Sequence, residues 1–292
     1  MTGILHAMLA AAPPSSPPVD FVLFNTSTDI QGYTFDGINF ATKGNASPGL
    51  IFPLPTADRS SVTGLASDKC LIAGNDATNA FRMARFDFDG SDWNRVGNEF
   101  QITSGNFSFP AVAAMDLDNV ALITQVGLFT YRFDGSDWAQ EGNSSPIGNA
   151  RSSASISATR FIRAHSMSMT IYDWDGLDWT SFANQNFGTT FEAICSLTTT
   201  LYAAYERTNN VLKTYELVGT TISQVGNALS VNVATKASLC SLSPTRIVFG
   251  AVTDSELQAY DWDGSDWALV GTPLSVSIPE FNNLASTNYL LI

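Results

Sequence analysis

One sequence element decides the fold of this chain, and its clearest copy reads FDFDGSDWNRVGN from Phe86 to Asn98. It consists of an aromatic residue, an apolar residue, Asp-Gly, a tryptophan three residues after that glycine, and a closing Gly-Asn. Asp-Gly favours a tight hairpin, because glycine adopts positive φ without strain. The element therefore predicts two antiparallel strands joined by a short turn.

The element occurs six times along the chain. The other copies read YTFDGINFATKGN from Tyr33, YRFDGSDWAQEGN from Tyr131, YDWDGLDWTSFAN from Tyr172, YELVGTTISQVGN from Tyr215 and YDWDGSDWALVGT from Tyr260. Four copies keep the tryptophan, as Trp93, Trp138, Trp179 and Trp267. The turn glycines are Gly37, Gly90, Gly135, Gly176, Gly219 and Gly264, spaced 53, 45, 41, 43 and 45 residues apart. A period of this length is typical of repeat architectures, and the repeated tryptophan is expected to pack between neighbouring repeats.

A fainter second element also has six copies. It consists of an apolar residue, Asp or Thr three residues later, and another apolar residue two further on, and it starts at Leu65, Met115, Ile156, Leu197, Leu242 and Leu284. It marks the turn from a strand of small residues, such as 111–115, to an apolar strand, such as 120–124. Four strands in each of six repeats predict an all-β, six-bladed β-propeller with four-stranded blades over residues 19–292.

The order of the elements at the chain ends predicts ring closure. The copy that starts at Leu284 runs out at Ile292 without third and fourth strands, whereas residues 33–45 supply such strands at the other end. One blade is thus expected to combine both ends of the chain. Residues 21–24 and 289–292 both fit the second strand of that blade, and the sequence leaves open which of the two is extra.

The first eighteen residues, MTGILHAMLAAAPPSSPP, form a different kind of segment. Prolines at 13–18 favour an extended linker. No Lys or Arg precedes Lys43, which disfavours a cleaved secretory signal. We expect a short apolar arm that anchors the propeller to a partner protein through Ile4, Leu5, Met8 and Leu9.

Composition excludes several classes of function. The net charge of −13 leaves no basic footprint for nucleic acid, and no apolar run is long enough to span a membrane as a helix. Two histidines and three cysteines show no metal-ligand spacing, so no metal or cofactor is expected. Aspartates cluster at the turns, as at Asp87, Asp89 and Asp92, and raise a calcium alternative. They lack the pattern of a calcium loop, and aspartate suits such turns for its own hydrogen bonds.

The repeats resemble those of β-propeller proteins over residues 19–292. They are also similar to sialidase Asp-box blades, which place a turn glycine three residues before a tryptophan, although Asp89 here directly precedes its glycine. An acidic propeller behind an apolar arm resembles bacteriophage surface proteins. That resemblance implies a non-enzymatic virion-surface protein that binds other virion proteins through residues 1–18 and a host surface glycan or protein through its propeller. The alternatives are a sialidase-like glycosidase and a purely structural decoration protein.

Candidate binding residues lie where the repeats differ. The loops after the second and fourth strands of each repeat vary in length and chemistry, and variable polar loops on a rigid scaffold are common binding sites. No catalytic residue is assigned. The candidates are Asn75, Asp76, Asn79, His165, Glu206, Arg207, Asn209, Asp254 and Glu256.

Overall fold

The computed structural model describes residues 19–25, 29–47, 60–75, 80–102, 111–147, 150–232, 237–251, 255–276 and 284–286, and these residues contain strands and no helix. The strands are short, and most second and third strands of the blades are rich in apolar or β-branched residues. The first twelve strands are β1 (Val19–Asn25), β2 (Asp29–Phe35), β3 (Phe40–Ser47), β4 (Ser60–Ala66), β5 (Lys69–Asn75), β6 (Phe81–Phe88), β7 (Trp93–Ile102), β8 (Ala111–Ala114), β9 (Asn119–Thr124), β10 (Gly127–Phe133), β11 (Trp138–Ser145) and β12 (Ser152–Ser157). The others are β13 (Arg160–His165), β14 (Ser168–Trp174), β15 (Trp179–Asn186), β16 (Phe191–Ser196), β17 (Leu201–Glu206), β18 (Val211–Val218), β19 (Thr221–Ser230), β20 (Ala237–Ser243), β21 (Arg246–Ala251), β22 (Glu256–Trp262), β23 (Trp267–Ser275) and β24 (Leu284–Ser286).

The strands form six four-stranded antiparallel sheets. Blade 1 consists of β24, β1, β2 and β3 from the inner to the outer strand, and blades 2 to 6 take the remaining strands four at a time in chain order. The inner strands β4, β8, β12, β16, β20 and β24 contact one another in a cycle. An all-β propeller with four-stranded antiparallel blades is thereby confirmed.

Each blade presents two kinds of connection on opposite faces. The short turns from first to second strand and from third to fourth strand lie on one face, called here the short-turn face. The remaining connections lie on the other, the variable-loop face. Strand β1 starts on the short-turn face, where Val19 pairs with Phe35. The predicted arm, with Ile4, Leu5, Met8 and Leu9, lies outside the described residues.

The structure corrects the expected register of the last repeat. The repeat pattern predicts that Leu284 is the equivalent of Leu242 in the preceding repeat. In the structure, Leu284 pairs with Leu23 in the way that Leu239 pairs with Phe249. Leu284 is thus the equivalent of Leu239. The repeat is therefore shifted by three residues. The reason is that β1 provides the second strand of blade 1, so only an inner strand is needed from the C-terminal end. Residues 289–292 lie outside the described residues.

The repeated tryptophans pack between blades. Trp93, Trp138, Trp179 and Trp267 are all buried. The Trp267 Nε1–H donates to Thr214 Oγ1 of blade 5 at 2.9 Å, and that of Trp179 donates to Thr130 Oγ1 of blade 3 at 2.8 Å. In blades 4 and 6 the tryptophan thus anchors its blade to the one before it, by apolar burial and by a buried hydrogen bond.

This hydrogen bond leads to a stability prediction. Thr214→Val keeps the shape of the side chain but leaves the indole N–H of Trp267 buried without its acceptor. We expect the free energy of unfolding to fall by about 1–3 kcal/mol, measured by chemical denaturation. Thr221→Val, at an exposed position of β19, is the control and should change stability by less than about 0.5 kcal/mol. Equal effects of the two substitutions would contradict this role for Thr214.

The closing segment of the repeat, Gly-Asn in most copies, forms a backbone hydrogen bond to the next blade at five of the six junctions. In blade 5, Gly226 has φ +64° and brings the backbone N–H of Asn227 within 2.8 Å of the Ser265 carbonyl oxygen in blade 6. The Asn227 Nδ2 also donates to Asp266 Oδ1 at 2.9 Å. Equivalent bonds from a backbone N–H to a carbonyl oxygen of the next blade join Asn45 to Ser91, Asn98 to Ser136, Asn143 to Leu177 and Thr272 to Ile38. The last of these bonds blade 6 to blade 1.

The junction of blades 4 and 5 differs from the other five. Blade 4 carries Ala183 in place of the glycine, and the facing turn of blade 5, from Val218 to Thr221, carries no aspartate. No corresponding backbone bond joins these two blades within the part of the chain that the structure describes. At this junction the glycine of one blade and the turn aspartate of the next blade are therefore both absent.

Candidate functional site

A fully buried carboxylate lies on the variable-loop face at the same junction. Glu192, near the start of inner strand β16, has no exposed surface. A register shift between Phe191 and Ala193 leaves it outside the strand pairing. A buried carboxylate needs charged partners to remain ionised. Two arginines supply them.

Arg151 and Arg207 hold this carboxylate from two directions. Arg151 of blade 4 donates from Nη1 to both carboxylate oxygens, at 2.9 and 3.1 Å. Arg207, in the loop after β17, donates from Nη1 to Oε1 at 3.0 Å. The arginine side chains are 27% and 40% exposed, so their charges face the solvent side of a buried anion. Burial raises the pKa of Glu192, and the two guanidiniums oppose that rise.

His165 completes the cluster from blade 4. It ends strand β13, and the carbonyl oxygen of the next residue, Ser166, accepts a hydrogen bond from the Phe191 N–H at 3.1 Å. Burial and the charges of Arg163 and Arg151 lower the pKa of His165. The imidazole is therefore neutral at neutral pH and able to accept a proton, which is the state that a general base requires.

The charge of the cluster is opposite to that of the whole protein. Arg151, Arg163 and Arg207 carry three positive charges against one negative charge on Glu192, in a chain with a net charge of −13. Arg163 is buried on β13 and lies over the ring of Tyr172 at 5.6 Å. A local excess of guanidinium groups in an acidic protein is suited to an anionic ligand.

A second buried carboxylate lies one strand away in blade 5. Glu206 accepts hydrogen bonds from Lys213 Nζ at 3.1 Å, from Asn209 Nδ2 at 3.2 Å and from the Tyr215 hydroxyl. Burial raises the pKa of Tyr215, so its hydroxyl stays protonated. A tyrosine beside a carboxylate is the pair that a sialidase would need, but this protonated and buried tyrosine is poorly suited to act as a nucleophile.

The structure brings only part of the predicted binding set together. His165, Glu206, Arg207 and Asn209 lie in adjoining blades 4 and 5. Glu256 begins β22 in blade 6, where its Oε2 accepts a hydrogen bond from Gln258. Asn75 is the last residue of β5 in blade 2. Asp76, Asn79 and Asp254 lie outside the described residues.

Glu192 and Arg151 were missed because Glu192 lies in an inner strand and Arg151 directly precedes one, and the sequence analysis interpreted the inner strands as scaffold. The sequence nevertheless contains a signal. Arg151 and Glu192 each lie five residues before the start of the second element, where two other repeats carry the small residues Ser60 and Ala237. A charged residue at a position that is otherwise small marks a departure from the scaffold pattern.

The aspartates of the short turns bind the backbone. In blade 2, Asp89 Oδ1 accepts hydrogen bonds from the N–H groups of Ser91 and Asp92, at 2.8 and 2.9 Å. These bonds lower the pKa of Asp89 to about 2. Among the described residues no group of three or more His, Cys, Asp or Glu is placed to hold a metal ion. Turn formation accounts for this aspartate without calcium.

Comparison with known proteins yields structural relatives only. No protein-family model and no curated protein sequence match the chain. A proposed 6-phosphogluconolactonase from Bacteroides uniformis is 9% identical, with a TM-score of 0.61 over 92% of this chain and 99% of that one. The periplasmic gluconolactonase of Pseudomonas aeruginosa is 12% identical, with a TM-score of 0.58 over 90% and 98%. A lectin from Aleuria aurantia, in complex with Fucα1-6GlcNAc, is 17% identical, with a TM-score of 0.52 over 79% and 82%.

These comparisons establish the fold and overturn the predicted function. Two of the three structures are lactonases by name, and none of the three is a virion protein. The expectation of a non-enzymatic bacteriophage surface protein is therefore wrong. It rested on the acidic composition and the apolar arm, neither of which reports on the chemistry of a site. No helix among the described residues is long and apolar enough to cross a membrane.

Proposed function

We propose that this protein is a hydrolase of anionic sugar lactones, acting on the variable-loop face at the junction of blades 4 and 5. The observation that carries the proposal is the Arg151–Glu192–Arg207 cluster beside neutral His165. The names of the lactonases that share the fold support the same class of reaction. The predicted residues His165 and Arg207 thereby receive roles in catalysis instead of host binding.

The reaction needs a base, an oxyanion partner and an anchor for the substrate. His165 accepts a proton from water as the water oxygen attacks the lactone carbonyl carbon. Arg151 stabilises the negative charge that develops on the carbonyl oxygen. The ring C–O bond then breaks, and the imidazolium returns its proton to the departing alkoxide. The product is a hydroxy acid, which ionises at neutral pH.

The two arginines differ in position, and this difference assigns their roles. The backbone N–H of Arg151 donates to the carbonyl oxygen of Ala164 at 2.9 Å, which places Arg151 beside the residue that precedes His165. Arg207 is the more exposed of the two and suits a phosphate or carboxylate on the substrate. Glu192 touches both arginines and orients them, so it is a positioning residue.

The experiment is a lactonase assay with a matched pair of arginine variants. Acid release is followed with 6-phosphogluconolactone and with glucono-δ-lactone, and the spontaneous rate in buffer is subtracted. We expect the phosphorylated lactone to be hydrolysed faster, and Arg207→Gln to raise its KM about tenfold or more. Arg160→Gln is the control, since Arg160 forms an ion pair with Asp173 on the short-turn face.

Two outcomes would contradict the proposal. One is the absence of hydrolysis above the spontaneous rate with both lactones. The other is an equal effect of the two arginine substitutions. A sialoside with a fluorescent leaving group, assayed in parallel, tests the glycosidase alternative, for which the raised pKa of Tyr215 predicts no turnover.

The pH dependence of the reaction follows from His165. Its pKa is lowered from the ordinary value of 6.5, so the basic form is present at pH 7 and is lost as the pH falls through that lowered value. We expect kcat/KM to be level near neutral pH and to fall about tenfold per pH unit on the acid side, with the bend below pH 6.5. A bend above pH 7, or the same acid limb in a His165→Gln variant with residual activity, would contradict this assignment.

A further inference from the structure

The turn that carries Arg207 is closed by hydrogen bonds at both of its ends. Residues 207–210 connect β17 to β18 on the variable-loop face. The Arg207 N–H donates to the Thr190 carbonyl oxygen at 2.8 Å, and the Thr208 hydroxyl oxygen accepts a hydrogen bond from the Thr190 N–H at 3.1 Å. The Asn210 N–H donates to the Arg207 carbonyl oxygen at 3.3 Å. The position of Arg207 therefore depends on the conformation of Asn210.

Asn210 has a backbone conformation that needs support. Its φ is +51°, in the left-handed region that side chains with a Cβ disfavour and that asparagine tolerates better than most. Its carbonyl oxygen accepts a hydrogen bond from the Val231 N–H at 3.0 Å. A residue in this region keeps one conformation only where its surroundings hold it there.

Tyr205 holds the side chain of Asn210 from inside the blade. The tyrosine is fully buried, and its hydroxyl donates to Asn210 Oδ1 at 2.9 Å. Its ring lies edge to face with Phe249 of blade 6, with 5.6 Å between the ring centroids, so the core fixes the place of the hydroxyl. Burial raises the pKa of Tyr205 to about 12, so the hydroxyl is protonated and donates at neutral pH.

This tyrosine is not a requirement of the scaffold. It lies eight residues after the start of the second element, at a position where four other repeats have side chains without a hydrogen-bond donor. Those residues are Ala73, Ile123, Ala164 and Gly250. The hydroxyl thus occurs in the blade whose loop carries Arg207, and these four blades form without it.

We propose that Tyr205 is a positioning residue for anion binding, because its hydroxyl holds Asn210 and thereby the turn that presents Arg207 to the substrate. This inference rests on the proposed function of Arg207 as the anchor of the substrate anion. A turn that is ordered before binding costs less entropy when the anion binds. The turn carries neither Arg151 nor His165, so loss of the hydroxyl is expected to raise KM and to leave kcat unchanged.

Tyr205→Phe is tested beside a matched substitution on the same strand. Tyr202 is also fully buried, but its hydroxyl donates to the Thr199 carbonyl oxygen, at 3.0 Å, in the short turn on the opposite face. We expect Tyr205→Phe to weaken the binding of inorganic phosphate about fivefold by calorimetric titration, which corresponds to one buried hydrogen bond. KM for 6-phosphogluconolactone should rise by about the same factor, while kcat and the KM for glucono-δ-lactone stay unchanged. Tyr202→Phe should change none of these quantities.

Asn210→Gly tests the same hydrogen bond from its other end. Glycine adopts positive φ without strain, so this variant removes the acceptor and keeps the turn sterically allowed. It also provides a result if Tyr205→Phe fails to fold. The double variant, Tyr205→Phe with Asn210→Gly, is expected to bind phosphate about as weakly as Tyr205→Phe alone, because both substitutions remove one interaction. Thermal melting verifies the folding of each variant.

The outcomes distinguish this inference from the lactonase proposal. Unchanged phosphate affinity in folded Tyr205→Phe, or an equal loss in Tyr202→Phe, overturns the positioning role while hydrolysis by the unaltered protein still supports the lactonase. The expected loss of phosphate affinity in a protein that hydrolyses neither lactone supports the positioning role and contradicts only the lactonase proposal. A lack of phosphate binding by the unaltered protein overturns the positioning role.

Discussion

Gly226→Ala is expected to destabilise the protein by about 3 kcal/mol or more, because two costs coincide at this position. Gly226 has φ +64°, a conformation that side chains with a Cβ disfavour. A Cβ at this site would lie 2.3 Å from the Ser265 carbonyl oxygen and 2.4 Å from an atom of Trp262. Both belong to the neighbouring blade, so relief requires the blades to separate.

The chain contains its own control for this substitution. Ala183 occupies the same repeat position in blade 4, where φ is not positive and, within the described part of the chain, no such backbone bond reaches the next blade. Ala183→Gly should cost only about 1–2 kcal/mol, because it adds freedom to the unfolded chain and removes one buried methyl group. Chemical denaturation of both variants measures the difference. Similar values for the two would show that the Gly-Asn contact does not hold the blades together.

Glu192→Gln is expected to lower kcat/KM for the phosphorylated lactone about 10–100-fold while the protein still binds anions. The substitution keeps the size of the side chain and removes the charge that orients Arg151 and Arg207. The site becomes more cationic, so the affinity for inorganic phosphate should stay level or increase. The loss is therefore expected in kcat rather than in KM.

This split separates a positioning role from a merely structural one. Calorimetric titration with phosphate gives the affinity, and the lactonase assay gives kcat. Glu141→Gln, on the other face of the protein, is the control and should leave both unchanged. A parallel loss of phosphate binding and kcat in Glu192→Gln would indicate a collapsed site, and unchanged kcat would remove Glu192 from the account.

The repeats made most of the fold predictable. The strand predicted at 120–124 is β9, Asn119–Thr124, because strict offsets from Asp-Gly and from the tryptophan fix where each strand starts. Prediction failed at Leu284, where the local pattern fits two registers. The backbone pairing of Leu284 with Leu23 selects one of the two registers. A contact between residues so far apart in the chain cannot be predicted from a local sequence pattern.

The candidate site was predictable only in part. His165 is the last residue of β13 and Arg207 lies in the loop after β17, where the repeats differ, so comparing the copies identified both. Glu192 lies on inner strand β16 and Arg151 directly precedes inner strand β12, and only the assembled blades bring these two residues, 41 apart in sequence, within hydrogen-bond distance. The function was misjudged because a net charge of −13 conceals a local cluster of arginines.

The most direct test of the account is the initial rate of 6-phosphogluconolactone hydrolysis at pH 7.5, measured side by side for the unaltered protein and for His165→Gln. The account predicts hydrolysis well above the spontaneous rate for the unaltered protein and a loss of roughly 10²–10⁴-fold in the variant. A rate equal to that of buffer alone, or equal rates for the two proteins, would contradict it.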